Sequence, residues 1–324
     1  MKLLGLGAGR KMGNSELLLK EALMAAGETG IEVELLRLHD MNIKPCIGCI
    51  SCSKDQQAGG TGACVIKDDD MPFFNQKLLE CDGIILSIPV YILAPPGHFK
   101  VLCDRIGPSH DVAWQMEAKK IAEKEGRESK IDPRFFKQRV SGFIAVGGAP
   151  TSEWVSLALP LMHTFTFPMQ MEVVDQMQIL GTPLPAQIVF NEEALERARR
   201  LGRNVAEAMG KPSDQIKWKG DEPGTCPVCH SNVMLVGKKS PVECAICGIK
   251  GELKEKNGEI TITFSKEEQA ISRLTIKGKK LHFDEVVETV GKNVRLMGEI
   301  PSKMKKYKSL KAVKPSRQKK AGND

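Results

Sequence analysis

Ten cysteines fall into two clusters and a pair of strays, and the clusters constrain this 324-residue chain more than any other feature. Cys46, Cys49 and Cys52 lie within seven residues, and Cys64 follows after a Gly-rich stretch. In the run PCIGCISCSKDQQAGGTGAC, two-residue gaps relieved by Gly48 let the backbone curl around a metal-sulfur centre with its amides facing the sulfurs. These four cysteines are therefore expected to ligate a 4Fe-4S cluster. A mononuclear zinc site or surplus reduced thiols are the plainer readings, but zinc pairs usually come as two separated knuckles.

Such knuckles occur later, in CPVC and CAIC, where Cys226 and Cys229 are separated from Cys244 and Cys247 by fourteen residues. Two knuckles on opposing hairpins bring four sulfurs to a tetrahedron, and Pro227 and Gly248 supply tight turns, so a zinc ribbon is expected. A rubredoxin-like iron site has the same ligands but is usually wrapped in aromatic residues; only Trp218 and Phe264 lie nearby in sequence. His230, beside Cys229, is expected to be a turn residue, and Cys81 and Cys103 to be small buried apolar groups.

Cysteines committed in this way indicate a reducing compartment. The apolar run GIILSIPVYILAPPG is broken by Pro89, Pro95 and Pro96, and the chain opens on a strand pattern without a signal peptide. A cytoplasmic protein without membrane insertion is expected. The net charge of +7 is local: residues 302–324 hold nine Lys or Arg and one Asp, which leaves residues 1–301 at −1. The basicity is read as a disordered tail, and nucleic acid is disfavoured as a partner.

Strand-like runs alternate with helical patterns from KLLGLG through SELLLKEALMAAG, EVELLRL, FFNQKLLE and GIILSIPV. HFKVLCDRI, VSGFIAVGG, MEVVDQMQILG and NEEALERARRLGRNVAEAMG continue the rhythm. The alternation predicts an α/β fold, a doubly wound parallel sheet covered by helices on both faces. A Glu/Lys-rich stretch over 109–137 interrupts it as an inserted helix. The expected organisation is an α/β domain over 1–210 with a cysteine loop at 45–65, a linker at 211–222, a zinc-ribbon-like unit at 223–264 and a small mixed extension at 265–301. The basic tail follows at 302–324.

The first strand runs into GLGAGRKMGNSELLL. Its glycines permit close backbone approach, and the helix beginning near Ser15 aims free amides at an anion, with Arg10, Asn14 and Ser15 adding charge and hydrogen bonds. No frame gives G-x-G-x-x-G, so this is a phosphate loop and not a dinucleotide fingerprint. The loops IPVYILAPPG and AVGGAP leave the same carboxyl edge of the sheet, where ligands of such folds bind.

Taken together, Gly7, Arg10, Gly13, Asn14 and Ser15, the turn Pro89, Val90 and Tyr91 with its helix Phe99, Lys100, Asp104 and Arg105, and the pair Gly147 and Gly148 resemble the NADPH-dependent FMN reductase superfamily. The clustered cysteines, with Asp69, Asp70 and Met71 behind them, are similar to its iron-sulfur flavoprotein branch. The resemblance covers about residues 1–210. It implies a flavodoxin-like strand order 2-1-3-4-5 and an FMN phosphate on Arg10, Asn14 and Ser15. It also implies a flavin ring against Pro89, Val90, Tyr91, Ile92, Leu93 and the Gly147-Gly148 turn, in a homodimer or homotetramer. Two features depart from the pattern: the gap before Cys64 is eleven residues, and Ala8 and Gly9 replace the usual Ser-Pro.

The favoured reading is a cytoplasmic FMN and iron-sulfur oxidoreductase that passes electrons from a ferredoxin-like donor through the cluster and FMN to an acceptor the sequence does not name. Alternatives are an NAD(P)H-dependent reductase of flavin or quinone, and a redox-sensing adaptor binding nucleic acid or protein through the ribbon and tail. His163, in an apolar stretch, is read as a core residue.

Overall fold

A computed structural model describes residues 1–313. Alternating strands and helices follow the chain as β1 (Lys2–Gly7), α1 (Asn14–Gly27), β2 (Glu32–Arg37), α2 (Ser51–Gln57), α3 (Met71–Glu80), β3 (Gly83–Pro89), α4 (Gly97–His110), α5 (Val112–Lys124), β4 (Val140–Val146), α6 (Ala158–Thr166), β5 (Glu172–Ile179) and α7 (Glu192–Ala208). The five strands form one parallel sheet in the order β2-β1-β3-β4-β5, as the resemblance implied.

The period-two pattern of the central strands separates two apolar layers. Ile84, Leu86 and Ile88 of β3 face Phe74, Phe99, Leu102 and Phe165. Ile85, one residue out of phase, joins Leu18, Leu19, Leu195 and Leu201 on the other side. There α1 and α7 cross closely because Gly202 carries no side chain; a Cβ would overlap the Ala22 carbonyl. The insertion is the helix α5, capped by Asp111, whose Oδ1 accepts from the Ala113 and Trp114 amides at 3.0 and 3.2 Å.

After α7 the chain returns along the sheet. The Lys219 amide donates to the Val174 carbonyl at 2.7 Å, covering part of the free edge of β5. Arg197 bridges Asp175 on β5 to Asp221 in the linker. A four-stranded antiparallel sheet follows, made of β6 (Met234–Leu235), β7 (Val242–Cys244), β8 (Lys250–Lys256) and β9 (Glu259–Thr263). Then come α8 (Lys266–Ala270) and α9 (Ile276–Asn293).

The segment read as mixed strand and helix is helical because a tertiary anchor outweighs local propensity. Buried Lys279 donates to the Pro168 carbonyl at 2.9 Å and to that of Phe167, with the Asp111 carboxylate 3.4 Å away. The chain divides into two compact units, Met1–Leu281 and a second from His282 onward. In the second, α10 (Ile300–Met304) and a 3-10 turn (Lys305–Ser309) are exposed helical turns where the sequence suggested disorder from 302. Residues 314–324 of that basic tail lie outside the described residues. Among the described residues, no helix is long and apolar enough to cross a membrane.

Candidate functional site

Four loops at the carboxyl edge of the parallel sheet enclose a cleft of about 320 Å³, within the range of ligand sites. It is lined by Gly9, Arg10, Gly13, Asn14 and Ser15 after β1, by Pro89, Val90 and Tyr91 after β3, and by Val146, Gly148, Thr182 and Pro183 after β4 and β5. At the N-terminus of α1, Gly13 offers no side-chain cap, so the first-turn amides are left for an anion. A Cβ at Gly9 would overlap Ser15 Oγ, and one at Gly13 would come within 2.8 Å of the Arg10 side chain. The loop is thus shaped around Arg10 and Ser15, and its amides, guanidinium and hydroxyl suit the phosphate end of FMN.

Asn14 has other work than the anion contact expected of it. Its Nδ2 donates to the Thr182 and Leu184 carbonyls at 2.9 and 2.8 Å, and its Oδ1 accepts from the Ile188 amide at 3.1 Å. The side chain staples the loop after β5 to the phosphate loop. Gly7 lies within β1, away from the cleft wall. Gly147 stands behind Gly148, where a Cβ would overlap Val155 and where its carbonyl accepts from the amide and hydroxyl of Thr182, each at 3.2 Å. Thr182, Pro183 and Val146 were not singled out in the sequence, since no motif marks them.

Beyond Val90, whose amide donates to the Val146 carbonyl at 2.8 Å, the chain makes a two-residue turn. Tyr91 and Ala94 exchange backbone bonds of 2.9 and 3.4 Å, while Ile92 and Leu93 both take left-handed φ, +49° and +69°. Asn-Gly is the usual choice there, and a β-branched residue at positive φ is strained. Tyr91 and Ile92 are exposed, and so are Trp154, Leu184 and Phe190 on the loops that follow β4 and β5.

The cysteine loop leaves the same sheet edge after β2. Gly48 is left-handed at +66°, and its amide points at Cys46 Sγ, 3.5 Å away. Bonds from Ser51 hold the exposed Cys49 thiol below its ordinary value, whereas burial pushes the Cys52 thiol up. Cys64 lies near both Cys52 and the Arg105 guanidinium.

Arg105 and Asp69, both shielded from solvent, hold the stem of this loop. The guanidinium donates to Asp69, to the Lys44 carbonyl at 2.7 Å and to the Ile66 carbonyl at 3.1 Å. Asp69 in turn accepts from the Lys44 and Met71 amides. Cys46 and Cys49 are exposed, Cys52 lies on α2 and Cys64 follows it, so among the described residues these four thiols are not gathered into a close group as the ribbon cysteines are. Ligands of a cluster bind different metal atoms and so stand further apart than those of one ion.

Cys226, Cys229, Cys244 and Cys247 are drawn together instead: all are buried, with every sulfur within 4.8 Å of the others. The Cys226–Cys247 and Cys229–Cys244 sulfurs are 3.5 Å apart. A tetrahedron with metal–sulfur bonds of about 2.3 Å has edges of about 3.8 Å, so the set fits a single ion. Crowding pushes the Cys229 and Cys247 thiols up and holds Cys226 and Cys244 down, a conflict that a cation relieves. The knuckles match: His230 at φ +58° occupies the position that Gly248 at +70° fills in the other. The His230 ring stacks on Trp218 at 3.9 Å, and its Nδ1 is 2.7 Å from the Pro223 carbonyl, away from the sulfurs. His163 is buried beneath this knuckle, edge-on to Phe143, and burial pushes its pKa down to about 4.

Similarity to known proteins runs the whole length. The chain is 33% identical over 294 residues to flavone synthase cfoJ of Aspergillus candidus, covering 88% of each. A solved structure described as a flavone reductase superposes with a TM-score of 0.82 at 28% identity, covering 98% of this chain and 100% of that one. An iron-sulfur flavoprotein of Methanocaldococcus jannaschii is 32% identical over 217 residues, 97% of its own length but 64% of this chain. With residues 1–180 matched by the family model for NADPH-dependent FMN reductase, the chain belongs to that family and is a flavin-dependent oxidoreductase.

Proposed function

We propose that this oxidoreductase adds or removes the two hydrogens of a carbon–carbon double bond conjugated to a ketone, in a flat aromatic substrate of the flavone and flavanone type. The supporting observation is the end-to-end likeness, ribbon region included, to a protein named flavone synthase and another described as flavone reductase. The iron-sulfur flavoprotein leaves about a third of the chain without a counterpart. Exposed Tyr91, Ile92, Trp154 and Phe190 on the cleft loops offer apolar faces for a planar ring system.

Arg10, Ser15 and the α1 amides would hold the FMN phosphate, with the ring toward Pro89, Val90 and Gly148. FMN held there would supply two-electron, hydride-level redox chemistry to the double bond, and the accompanying proton would have to be given or taken at the neighbouring carbon by a group of this chain. Among the cleft-lining residues Tyr91 carries the phenol and is the candidate to move that proton. Cys46, Cys49, Cys52 and Cys64 would hold a 4Fe-4S cluster supplying single electrons from a ferredoxin-like donor, and the ribbon cysteines would hold zinc. NAD(P)H as direct donor is the second reading, favoured by the family's own description.

The test is anaerobic: photoreduced protein is mixed with flavone, and oxidised protein with flavanone, with product identified by mass. Reoxidation of the flavin by flavone with formation of flavanone, or the reverse, is the expected result. Reoxidation by a simple quinone with no reaction in either flavone direction would overturn the substrate class. Reduced ferredoxin and NADPH, compared as donors, separate the two electron sources.

A further inference from the structure

The ribbon is joined to the flavin cleft by two short stretches of chain. Residues 148–156 begin with Gly148 in the cleft wall and end with Ser156 against the ribbon. Along β5 and its loop, Gln178 faces the ribbon and Thr182, four residues on, lines the cleft. Between ribbon and body lies a narrow space of about 120 Å³, walled by Ser156, Leu159, His163, Gln176 and Gln178 on one side and by residues 230–233 of the first knuckle on the other. Gln176 Nε2 donates across it to the His230 carbonyl at 3.2 Å. His230 follows a metal-site cysteine and is fixed at left-handed φ, so the conformation of this carbonyl depends on the knuckle.

The first stretch carries Trp154 on a 3-10 turn, Ser152–Val155, and Val155 packs where Gly147 lacks a Cβ. Trp154 itself is exposed. Among the described residues the segment is held by local bonds, Thr151 Oγ1 to Glu153 and Ser156 Oγ to the Glu153 carbonyl at 3.3 Å, by buried Val155, and at its start by the Ala149 carbonyl accepting from the Gly181 amide at 2.7 Å. A loop of this kind is ordered by what abuts its ends.

We propose that the ribbon is a positioning element for the cleft: through Gln176 and the walls at Ser156 and Leu159, the first knuckle fixes residues 148–157 and with them the wall that selects a flat polyaromatic substrate. This rests on the substrate class proposed above. The metal acts at a distance, by setting the knuckle, and touches neither flavin nor substrate.

The test uses the full-length holoprotein and the double variant Leu159→Ala with Gln176→Ala, which loosens the contact and leaves all eight clustered cysteines and the cleft lining in place. Ribbon metal and bound FMN per chain should stay at the parent's values. Hydrogen exchange of the amides over 149–157 should accelerate about tenfold, the size expected when a tertiary hydrogen bond and its packing are lost. KM for flavone should rise by a similar factor with kcat for a small quinone unchanged. Removing the ribbon ligands instead, with Cys229→Ser and Cys247→Ser, should produce the same exchange signature with Leu159 and Gln176 in place. Unchanged exchange over 149–157 in both variants would overturn the inference. If the parent does not act on flavones, the substrate reading fails by itself, and the exchange measurement still decides whether the ribbon positions the loop.

Discussion

Asp69 and Arg105, thirty-six residues apart in sequence, form an ion pair with both side chains out of solvent, and this pair closes the stem of the cysteine loop. Burial by itself would raise the Asp69 pKa, but the bonds from Arg105 and from the Lys44 and Met71 amides outweigh it and hold the carboxyl below its ordinary value. Arg105 is likewise held above its ordinary value, because Asp69 and Cys64 outweigh the cost of its burial.

Removing one partner leaves the other charged, buried and unpaired. Arg105→Ala should therefore destabilise the protein by about 3–5 kcal/mol in urea unfolding and release iron from the loop. Because the Asp69 pKa is lowered on folding, its contribution is present above the ordinary carboxyl range and is lost as pH falls through the folded value. Asp69→Asn should flatten the acid limb of the stability curve below about pH 4. An unchanged iron content in Arg105→Ala would show that the loop holds its metal without this clamp.

His110 governs a different pH window. It is buried, its Nδ1 is 2.8 Å from Ser109 Oγ, and it lies edge-on to Phe135 at 5.3 Å. Desolvation, with help from Arg139, pushes its pKa from the ordinary 6.5 to about 4. Between those values the unfolded chain binds the proton and the folded one does not, so stability falls as pH falls. The displacement is worth on the order of 3 kcal/mol. His110→Phe should lose less stability than the parent between pH 7 and pH 4; parallel curves would show that the ring titrates normally.

In the phosphate loop, Gly9→Ala forces a methyl group onto Ser15 Oγ. The backbone or Ser15 must give way, and FMN should bind at least about tenfold more weakly, or about 1.4 kcal/mol. The ribbon metal should be unaffected. Equilibrium dialysis that found parent-like FMN affinity would place the phosphate elsewhere than on Ser15.

The helix rhythm and the clustering of the ribbon sulfurs were legible in the sequence, because they follow from patterns of period two, period 3.6 and paired two-residue gaps; the strand order was legible only through the family resemblance carried by the loops after β1, β3 and β4. What escaped is long-range. Asn14 reads as an anion ligand from its neighbours, yet its amide is saturated by carbonyls and an amide about 170 residues away. Arg105 and Asp69 both stood inside recognised motifs, but only the fold shows that they meet. The helix through Lys279 was obscured by β-branched and glycine residues whose local preference is overruled by a buried anchor to residues 111, 167 and 168.

At the ribbon, Cys229→Ser together with Cys247→Ser removes half of a buried tetrahedral donor set. Metal analysis should fall from about one ion per chain to none, and the four-stranded antiparallel sheet should lose its protease resistance, since metal binding and folding of such a unit are one equilibrium. Bound FMN should persist, as the cleft lining contains no ribbon residue. Retention of the ion by the remaining pair would indicate ligands from outside the four cysteines.

The proposed direction of electron flow can be tested at Cys49, the central thiol of the triplet, exposed and with its pKa lowered by Ser51. If the cysteine loop is the entry port, Cys49→Ser should lose the iron-sulfur absorbance and reduce its flavin far more slowly with reduced ferredoxin. Dithionite, small enough to reach the cleft, should still bleach the flavin at the parent's rate. The separation follows from placement: Cys49 lies on the loop after β2, while the cleft wall is built from the loops after β1, β3, β4 and β5, so FMN binding should survive the change. Were ferredoxin to reduce the variant's flavin as fast as the parent's, the loop would be off the electron path and a nicotinamide donor acting directly on the flavin would become the better reading.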